Sequence, residues 1–423
     1  MGAPDVTGTD ALKSIAGIFS LLRDEGYSVK LTSFSAIDRY LGLPALPYVW
    51  AETNAGIAVL ARFIDNLRFP GVEVADAAAD ASDGTCYFRC LDLDIGEQNG
   101  NGEKSVSYPV LSFGYDWQTH HFLDPLGVYP LLRNLLRKTP RKDDDAGESL
   151  SVFAAAPVRL TNHRDAAKWR RIMDTALIFA RYGIPDKVFE PAANAPHEPL
   201  PSPEHQRSFL SCLLVSPEPQ RGFEFLKQSG FLKAMWQELE SFDDVDHSKE
   251  FHPEGNGWNH TMETFRHRKP ASGGGFDLSL SLGLLLHDAG KPVSASVGNH
   301  RFEGHAELGA KTAAAFLKRL EFPQPLIEDV FYLVKNHMLP AALKRLPLTK
   351  TSEIMASPLF PTLMELYRCD ESSSFKGLDA YYENSAAYQA YLRNMKNPYR
   401  YADGRKVGKS DRRRLFDKSD KKA

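Results

Sequence analysis

The segment LLLHDAGKP sets His287 and Asp288 side by side behind an apolar run, with Gly290, Lys291 and Pro292 following closely. Imidazole and carboxylate together are ligands for a divalent transition metal. Adjacent residues do not share a helix face, so both can reach one site only where the helix ends or bends, and Gly290 and Pro292 supply that ending. An HD dipeptide alone is a weak signal. Its weight comes from His260 in WNHTMETF, His305 in FEGHAELGA, His337 in YLVKNHM and Asp370 in LYRCDESSS. Each lies in a helical or helix-cap context, so a bundle can bring all of them together. Taken singly, each histidine is most simply a satisfied core or surface residue; the ordered set is what points to a metal. Mn, Fe, Ni, Co or Zn suits such a set, and Mg is less comfortable with so many nitrogens.

A chain of 423 residues has room for two to four domains at about 100 to 200 residues each. Hydrophobic residues make up 43% and charged ones 25%, near globular averages, which excludes a low-complexity or disordered chain. Lys+Arg 51 against Asp+Glu 54 leaves a net charge of -3, so any nucleic-acid surface must be a local patch. The opening MGAPDVTGTD has no basic region followed by an apolar one, and the apolar stretch at 278–286 is far too short to span a bilayer, so the chain reads as cytoplasmic, with no membrane partner. Of the cysteines, Cys86, Cys90, Cys212 and Cys369, only the first two are close in sequence, and the alternation in CYFRC reads as a strand with buried thiols.

Apolar residues at helical spacing across 10–25, stopped by Gly26, precede the β-like run YSVKLTSF. From there to about Tyr115 strands and helices mix, with a hairpin expected around GEQNGNGEKS and a mobile surface loop at TPRKDDDAGES. Beyond Asp165 the periodicity is helical, interrupted by a proline-rich linker that contains Pro185, Pro191, Pro196, Pro199, Pro201 and Pro203. From Arg400 the chain carries ten Lys/Arg against four Asp, a solvated tail or a contact for RNA or phosphate.

The order H…HD…H…H…D resembles the HD phosphohydrolase superfamily. More closely, the runs SPEPQRGFEFLKQSGFLKAMWQELESF, HPEGNGWNHTMETF, LLLHDAGKP, FEGHAELGAK and LVKNHM, over about 205–375, resemble the neck and HD portion of bacterial tRNA nucleotidyltransferases, the CCA-adding and poly(A)-polymerase-like enzymes. That resemblance implies that His260, His287, Asp288 and Asp370 are primary metal ligands. It implies that His305 and His337 complete a second metal site or hold phosphate, and that Lys291 neutralises phosphate charge. A bound metal would lower the pKa of its water and polarise a phosphoryl oxygen, with Asp288 bridging or orienting that water. His252, in the turn-rich HPEG run, reads as a loop residue.

The same resemblance implies a nucleotidyltransferase head in the N-terminal part, and its traces are altered. GYSVKLTSFSAIDRYLGLP looks like the opening motif, with Asp38 and Leu41-Gly42 kept and the glycine pair replaced by Ser33 and Phe34 or their neighbours. The expected Asp-x-Asp falls at PALPYVWAET, where Pro47 and Val49 stand; SVSYPV replaces an Arg-Arg-Asp run, and the arginines of the helix entering the neck are replaced around Asp174 and Leu177. Asp116, Asp124, Pro125 and Gly127 remain in place in LSFGYDWQTHHFLDPLGVYPLL. Glu52, Asp65 and Asp92 are the carboxylates that could stand in for the missing pair. His120 and His121 point to opposite faces if they lie on a strand, and read as surface or structural residues.

The expected fold is α+β and multidomain: a mixed-sheet nucleotidyltransferase-like head at 1–165, a helical neck with the proline-rich linker at 166–250, an all-α HD domain at 251–376, and a C-terminal helix and basic tail at 377–423. The expected activity is metal-dependent hydrolysis of a nucleotide or RNA-end phosphoester, of 2′,3′-cyclic phosphodiesterase, 2′-nucleotidase or phosphatase type, by Asp288, Lys291, His305 and His337, with an inactive head. Two alternatives stay open: a diverged tRNA nucleotidyltransferase that adds nucleotides to RNA 3′ ends, and a non-catalytic RNA-binding or regulatory protein with a structural metal.

Overall fold

The computed structural model describes residues 14–71, 74–91, 108–136, 164–183, 200–244, 256–296, 302–374, 377–397 and 399–407. The loops expected at GEQNGNGEKS and TPRKDDDAGES, most of the proline-rich linker, His252, Asp92 and the tail beyond Val407 lie outside them. The chain divides into two compact units, one running to Trp236 and including Lys269–Leu278, the other made of Gln237–Arg268 and the chain from Ser279 onward.

In the first unit, α1 (Ile15–Asp24) buries Ile15, Ile18, Phe19 and Leu22 at helical spacing, is capped by the Ser14 hydroxyl on the Gly17 N–H, and stops at Gly26 with φ +86°. Then follow β1 (Val29–Thr32), α2 (Ser33–Leu41), β2 (Tyr48–Thr53), α3 (Ile57–Phe63), β3 (Leu67–Arg68), β4 (Ala77–Ala81), β5 (Gly84–Cys90), β6 (Gly114–Asp116), β7 (Phe122–Leu123) and α4 (Tyr129–Leu136). They form one sheet of order β3-β4-β5-β2-β1-β6-β7. The β2–β5 pairing is parallel, with Val49 opposite Cys86, and the others are antiparallel, so the sheet is mixed. Cys86 and Cys90 are buried strand thiols outside any disulfide. One face of the sheet packs on α1, where Phe19 meets the edge of Phe88 at 6.2 Å. On the other face Tyr48 stacks on Tyr87 at 5.5 Å with Trp50 beside them.

The helical part of this unit covers that second face. Glu204, in the first turn of the helix Pro203–Leu214, accepts hydrogen bonds from Arg68 at 2.8 Å and from the Tyr87 hydroxyl at 3.2 Å. The helix Arg164–Tyr182 crosses Pro219–Gln228 so closely that a Cβ on Gly222 would lie 2.6 Å from the Ala176 carbonyl oxygen. Trp169, Phe209, Phe231 and Trp236 fill the space between these helices. Asp38 on α2 is tied to the end of the first of them. Arg181 Nε donates to Asp38 Oδ1 at 2.7 Å and the Tyr182 hydroxyl donates to the same oxygen at 3.1 Å. Arg181 Nη2 also donates to the Pro44 carbonyl.

The described residues of the second unit form helices and turns with an isolated β-bridge near their C-terminal end. The helix Leu278–Leu286, buried from Leu280 onward, runs through its middle. Gly283 lets it approach its neighbours, because a Cβ there would already touch Leu366 at 3.0 Å and Leu333 at 3.2 Å. Around it lie Gly257–Arg266, Lys291–Ser296, His305–Arg319, Gln324–Asn336, Leu348–Met355, Phe360–Ser372 and Asp379–Lys396. The helices His305–Arg319 and Gln324–Asn336 are joined by a short turn and so lie antiparallel. No helix among the described residues is long and apolar enough to cross a membrane.

Candidate functional site

The central helix ends at Leu286, and His287 and Asp288 occupy the turn between it and the helix Lys291–Ser296. The chain thereby escapes the helical geometry that would separate the two side chains. Pro292 does not end the first helix as expected; it sits in the first turn of the next, where its missing N–H has no intrahelical partner to lose. Gly290 has a second role. A Cβ there would lie 2.0 Å from the His305 carbonyl oxygen and 2.5 Å from the Gly309 N. Only a glycine lets the turn touch the backbone of the helix that carries His305.

All six expected ligands come together, in two groups whose donor atoms lie within 4.8 Å of one another: His260, His287 and Asp370, and Asp288, His305 and His337. Asp288 faces both. Its Oδ2 is 3.4 Å from His287 Nε2 and 4.0 Å from His260 Nε2, and its Oδ1 is 3.6 Å from His305 Nε2 and 3.9 Å from His337 Nε2. Asp370 Oδ1 lies 3.0 Å from His260 Nε2, and Lys291 Nζ lies 2.6 Å from Asp288 Oδ2.

The backbone sets the tautomers. The Nδ1 atoms of His287, His305 and His337 each donate to a carbonyl three residues back, those of Leu284, Phe302 and Val334, at 2.8, 2.8 and 2.7 Å. Ser373 donates its hydroxyl proton to the Asp370 carbonyl at 2.6 Å, which leaves its oxygen to accept from His260 Nδ1 at 3.2 Å. Every Nε2 therefore turns a lone pair inward. Two pairs of these atoms stand close, His260 to His287 at 3.3 Å and His305 to His337 at 3.1 Å. Unprotonated lone pairs repel one another, and a cation between them turns that repulsion into ligation. The donor set fits a divalent metal.

Electrostatics favours the ligating forms. Burial works to raise the Asp288 carboxyl, and Lys291 and His287 beside it overcome that and hold it well below the usual carboxylate range. Burial likewise opposes ionisation of Asp370, and the His260 and His287 imidazoles beside it outweigh that, so its pKa is also lowered. Burial lowers His305 and pushes His337 down to about 4, so both are neutral near pH 7. Sequence reasoning missed Ser373 and the orienting carbonyls. A carbonyl leaves no trace in residue type; Phe302, held at φ +52°, carries one of them.

The head places its expected residues differently. Ser33, where a glycine was expected, takes φ +56°, the left-handed conformation that glycine favours, in the turn from β1 into α2. Glu52 lies on β2, 3.6 Å from Lys30; Asp65 is exposed after α3. Asp116 and Asp124 shape turns: Asp116 accepts from the N–H groups of Gln118 and Thr119, and Asp124 from those of Val128 and Tyr129. His120 and His121 are exposed, as expected, in the link between β6 and β7 rather than on a strand. The φ of +59° at His120 breaks the extended backbone there.

Residues 259–362 match the model of the HD domain, which defines the class of the second unit. The chain as a whole belongs to the tRNA nucleotidyltransferase family. It is 32% identical over 321 residues, 71% of this chain and 67% of the relative, to the A-adding tRNA nucleotidyltransferase of Deinococcus radiodurans. It is 33% identical over 182 residues to the CC-adding tRNA nucleotidyltransferase of Thermus thermophilus, and 29% identical over 136 residues to a multifunctional CCA protein of Halorhodospira halophila. These two matches cover 41% and 32% of this chain and span only 40% and 32% of the relatives. Among solved structures it is similar to the CCA-adding enzyme of Bacillus stearothermophilus in complex with CTP, at TM-score 0.44 and 12% identity over 91% of this chain and 83% of that one.

These relatives correct the expected activity. Hydrolysis by the HD residues as the chain's function, with a head unable to add nucleotides, is overturned by relatives named for nucleotide addition. The expectation rested on reading absent head motifs position by position across a diverged segment, where register slips easily.

Proposed function

We propose that the chain adds nucleotides to the 3′ end of tRNA and that its HD unit binds divalent metal. The observation that carries this reading is the 32% identity across 71% of the chain with a protein named for adding A to tRNA. A match of 321 residues extends well outside the HD domain at 259–362. Two features of the head support it. The left-handed Ser33 opens α2, and the free N–H groups of a helix's first turn are suited to an anion such as a triphosphate. On the adjacent strand, Glu52 is the carboxylate through which a metal would be held on that triphosphate.

In the HD unit, His260, His287 and Asp370 would hold one ion and Asp288, His305 and His337 a second. When bound, a divalent ion there polarises phosphoryl oxygens. The chain's own residues supply the rest: the carbonyls of Leu284, Phe302 and Val334 fix the imidazoles, and Lys291 presents positive charge beside Asp288. In this scheme residues 1–165 are the head, 166–250 the neck, 251–376 the HD domain and 377–423 the C-terminal helix and tail.

The test uses tRNA trimmed of its 3′-terminal nucleotides, labelled CTP and ATP, and protein stripped of metal and then supplied with Mg, Mn, Ni or Co. Incorporation that Glu52→Gln abolishes and Asp288→Asn retains is expected, with Asp288→Asn losing bound metal in equilibrium dialysis. No incorporation with any metal or nucleotide overturns the reading.

A further inference from the structure

Beyond the metal centre, the second unit carries a small cationic element at the end of its described chain. The helix Asp379–Lys396 ends in a turn that exposes Arg393 and Lys396. The chain then folds into a tight hairpin in which Arg400 and Lys406 are bridge partners, the Tyr401 N–H donates to the Arg405 carbonyl at 2.8 Å, and the Val407 N–H donates to the Tyr399 carbonyl at 3.0 Å. Asn394 anchors it to the helix by donating to the Ala402 carbonyl at 3.2 Å, and Val407 is buried beneath. The hairpin is thus a built feature.

Its register sorts the side chains. Arg400 and Lys406 face one another on one side, where like charges directly opposed destabilise the pair. Arg400 spends one donor on the Gly404 carbonyl, and among the described residues neither cation has a carboxylate partner. On the other side stand Tyr399, 49% exposed, and Tyr401, 41% exposed, with the Arg405 guanidinium 5.9 Å from the Tyr401 ring. Asp403 is the one acid in the hairpin, and it is engaged by Arg405. Exposed cations interleaved with exposed aromatic rings suit a polyanion that also offers flat rings to stack on.

We propose that this hairpin, with Arg393 and Lys396, is an RNA-binding element: Arg400 and Lys406 grip neighbouring phosphates and Tyr399 or Tyr401 stacks on an exposed base. The inference rests on the proposed activity at tRNA 3′ ends for the identity of the RNA. A phosphate between Arg400 and Lys406 removes the repulsion that the bridge imposes, which is why a nucleic-acid backbone fits better than a solvated surface.

The experiment uses the full chain, so that the basic residues beyond Val407 are the same in every protein. Binding of trimmed tRNA is measured by fluorescence anisotropy over a range of salt for wild type, Arg400→Gln/Lys406→Gln and Tyr401→Ala, with unfolding midpoints as a folding control. The double variant should bind about tenfold more weakly at 0.1 M salt and lose about 2 from the slope of log K against log salt. Tyr401→Ala should weaken binding with the slope unchanged. Unaltered affinity and slope in the double variant overturn the inference, as does binding of the wild type to vesicles of anionic lipid in preference to tRNA. In the incorporation assay, a raised KM for tRNA at constant kcat is expected. If wild type incorporates nucleotide and the double variant does so with the same KM, the hairpin assignment fails and the activity stands. If wild type binds tRNA through the hairpin without incorporating, the reverse holds.

Discussion

Replacing Gly290 with alanine tests whether the HD turn is positioned by backbone contact. The added Cβ would sit 2.0 Å from the His305 carbonyl oxygen, 2.5 Å from the Gly309 N and 2.9 Å from the His305 carbonyl carbon, where ordinary contact begins at 3.4 Å. All three neighbours are backbone, so no flexible side chain can yield. Either the turn bearing Asp288 or the first turn of His305–Arg319 must retreat by about 1 Å, twice the roughly 0.5 Å tolerance of a functional site. Overpacking of this kind destabilises by about 1 to 3 kcal/mol, and a rigid backbone contact belongs at the upper end. Because the retreat separates Asp288 Oδ1 from His305 Nε2, now 3.6 Å apart, metal affinity should fall by about 10- to 100-fold. Urea unfolding measures the first effect and calorimetric titration with Mn or Co the second. Gly273→Ala is the control, since its Cβ would meet nothing within 4 Å; it should stay within about 0.5 kcal/mol of wild type. If Gly290→Ala matched that control in both stability and metal affinity, backbone contact would not be what holds the site.

Arg181→Met should destabilise the first unit by about 3 to 5 kcal/mol, because it strands the Asp38 carboxylate in the interior. Adding Asp38→Asn should recover part of that loss, and additive losses in urea denaturation would refute a coupled pair. Burial, with Arg170 and Arg89 nearby, lowers His205 from 6.5 to about 3. The unfolded chain therefore binds the extra proton as pH falls below 6.5, and stability drops with it. Between pH 6.5 and 5.0 the loss is at most about 2 kcal/mol. His205→Gln should flatten the pH dependence of the urea midpoint over that interval, and an unchanged slope would count against the burial argument.

The two units differ in how much of them the sequence disclosed, and the reason is physical. Ligand chemistry is written in residue type, so the six candidate donors could be picked out from spacing and helical context, and they lie together in two groups. The groups that orient them are carbonyls and a serine hydroxyl, which any sequence supplies, so Leu284, Phe302, Val334 and Ser373 went unnoticed. In the sheet, α1 and its stop at Gly26 follow from local periodicity, whereas the parallel β2–β5 pairing and the Asp38–Arg181 ion pair join segments that no local pattern connects.

The head shows why missing residues are weaker grounds than present ones. Ser33 was read as the loss of a glycine turn, yet the backbone there holds φ +56°, a conformation open to glycine, at the energetic cost of placing a Cβ in the left-handed region. Asp38 was read as a surviving motif residue, and its carboxylate is spent on Arg181 and Tyr182. Residue identity and local function can therefore change independently: a position can keep its conformation while losing its residue, or keep its residue for a packing role. Ser33→Gly separates these cases. Relieving a strained left-handed serine should stabilise the first unit by about 1 kcal/mol in urea denaturation. If the turn serves the triphosphate, the same change should lower KM for the incoming nucleotide or leave it unaltered; a marked rise would mean that the serine side chain itself makes the contact.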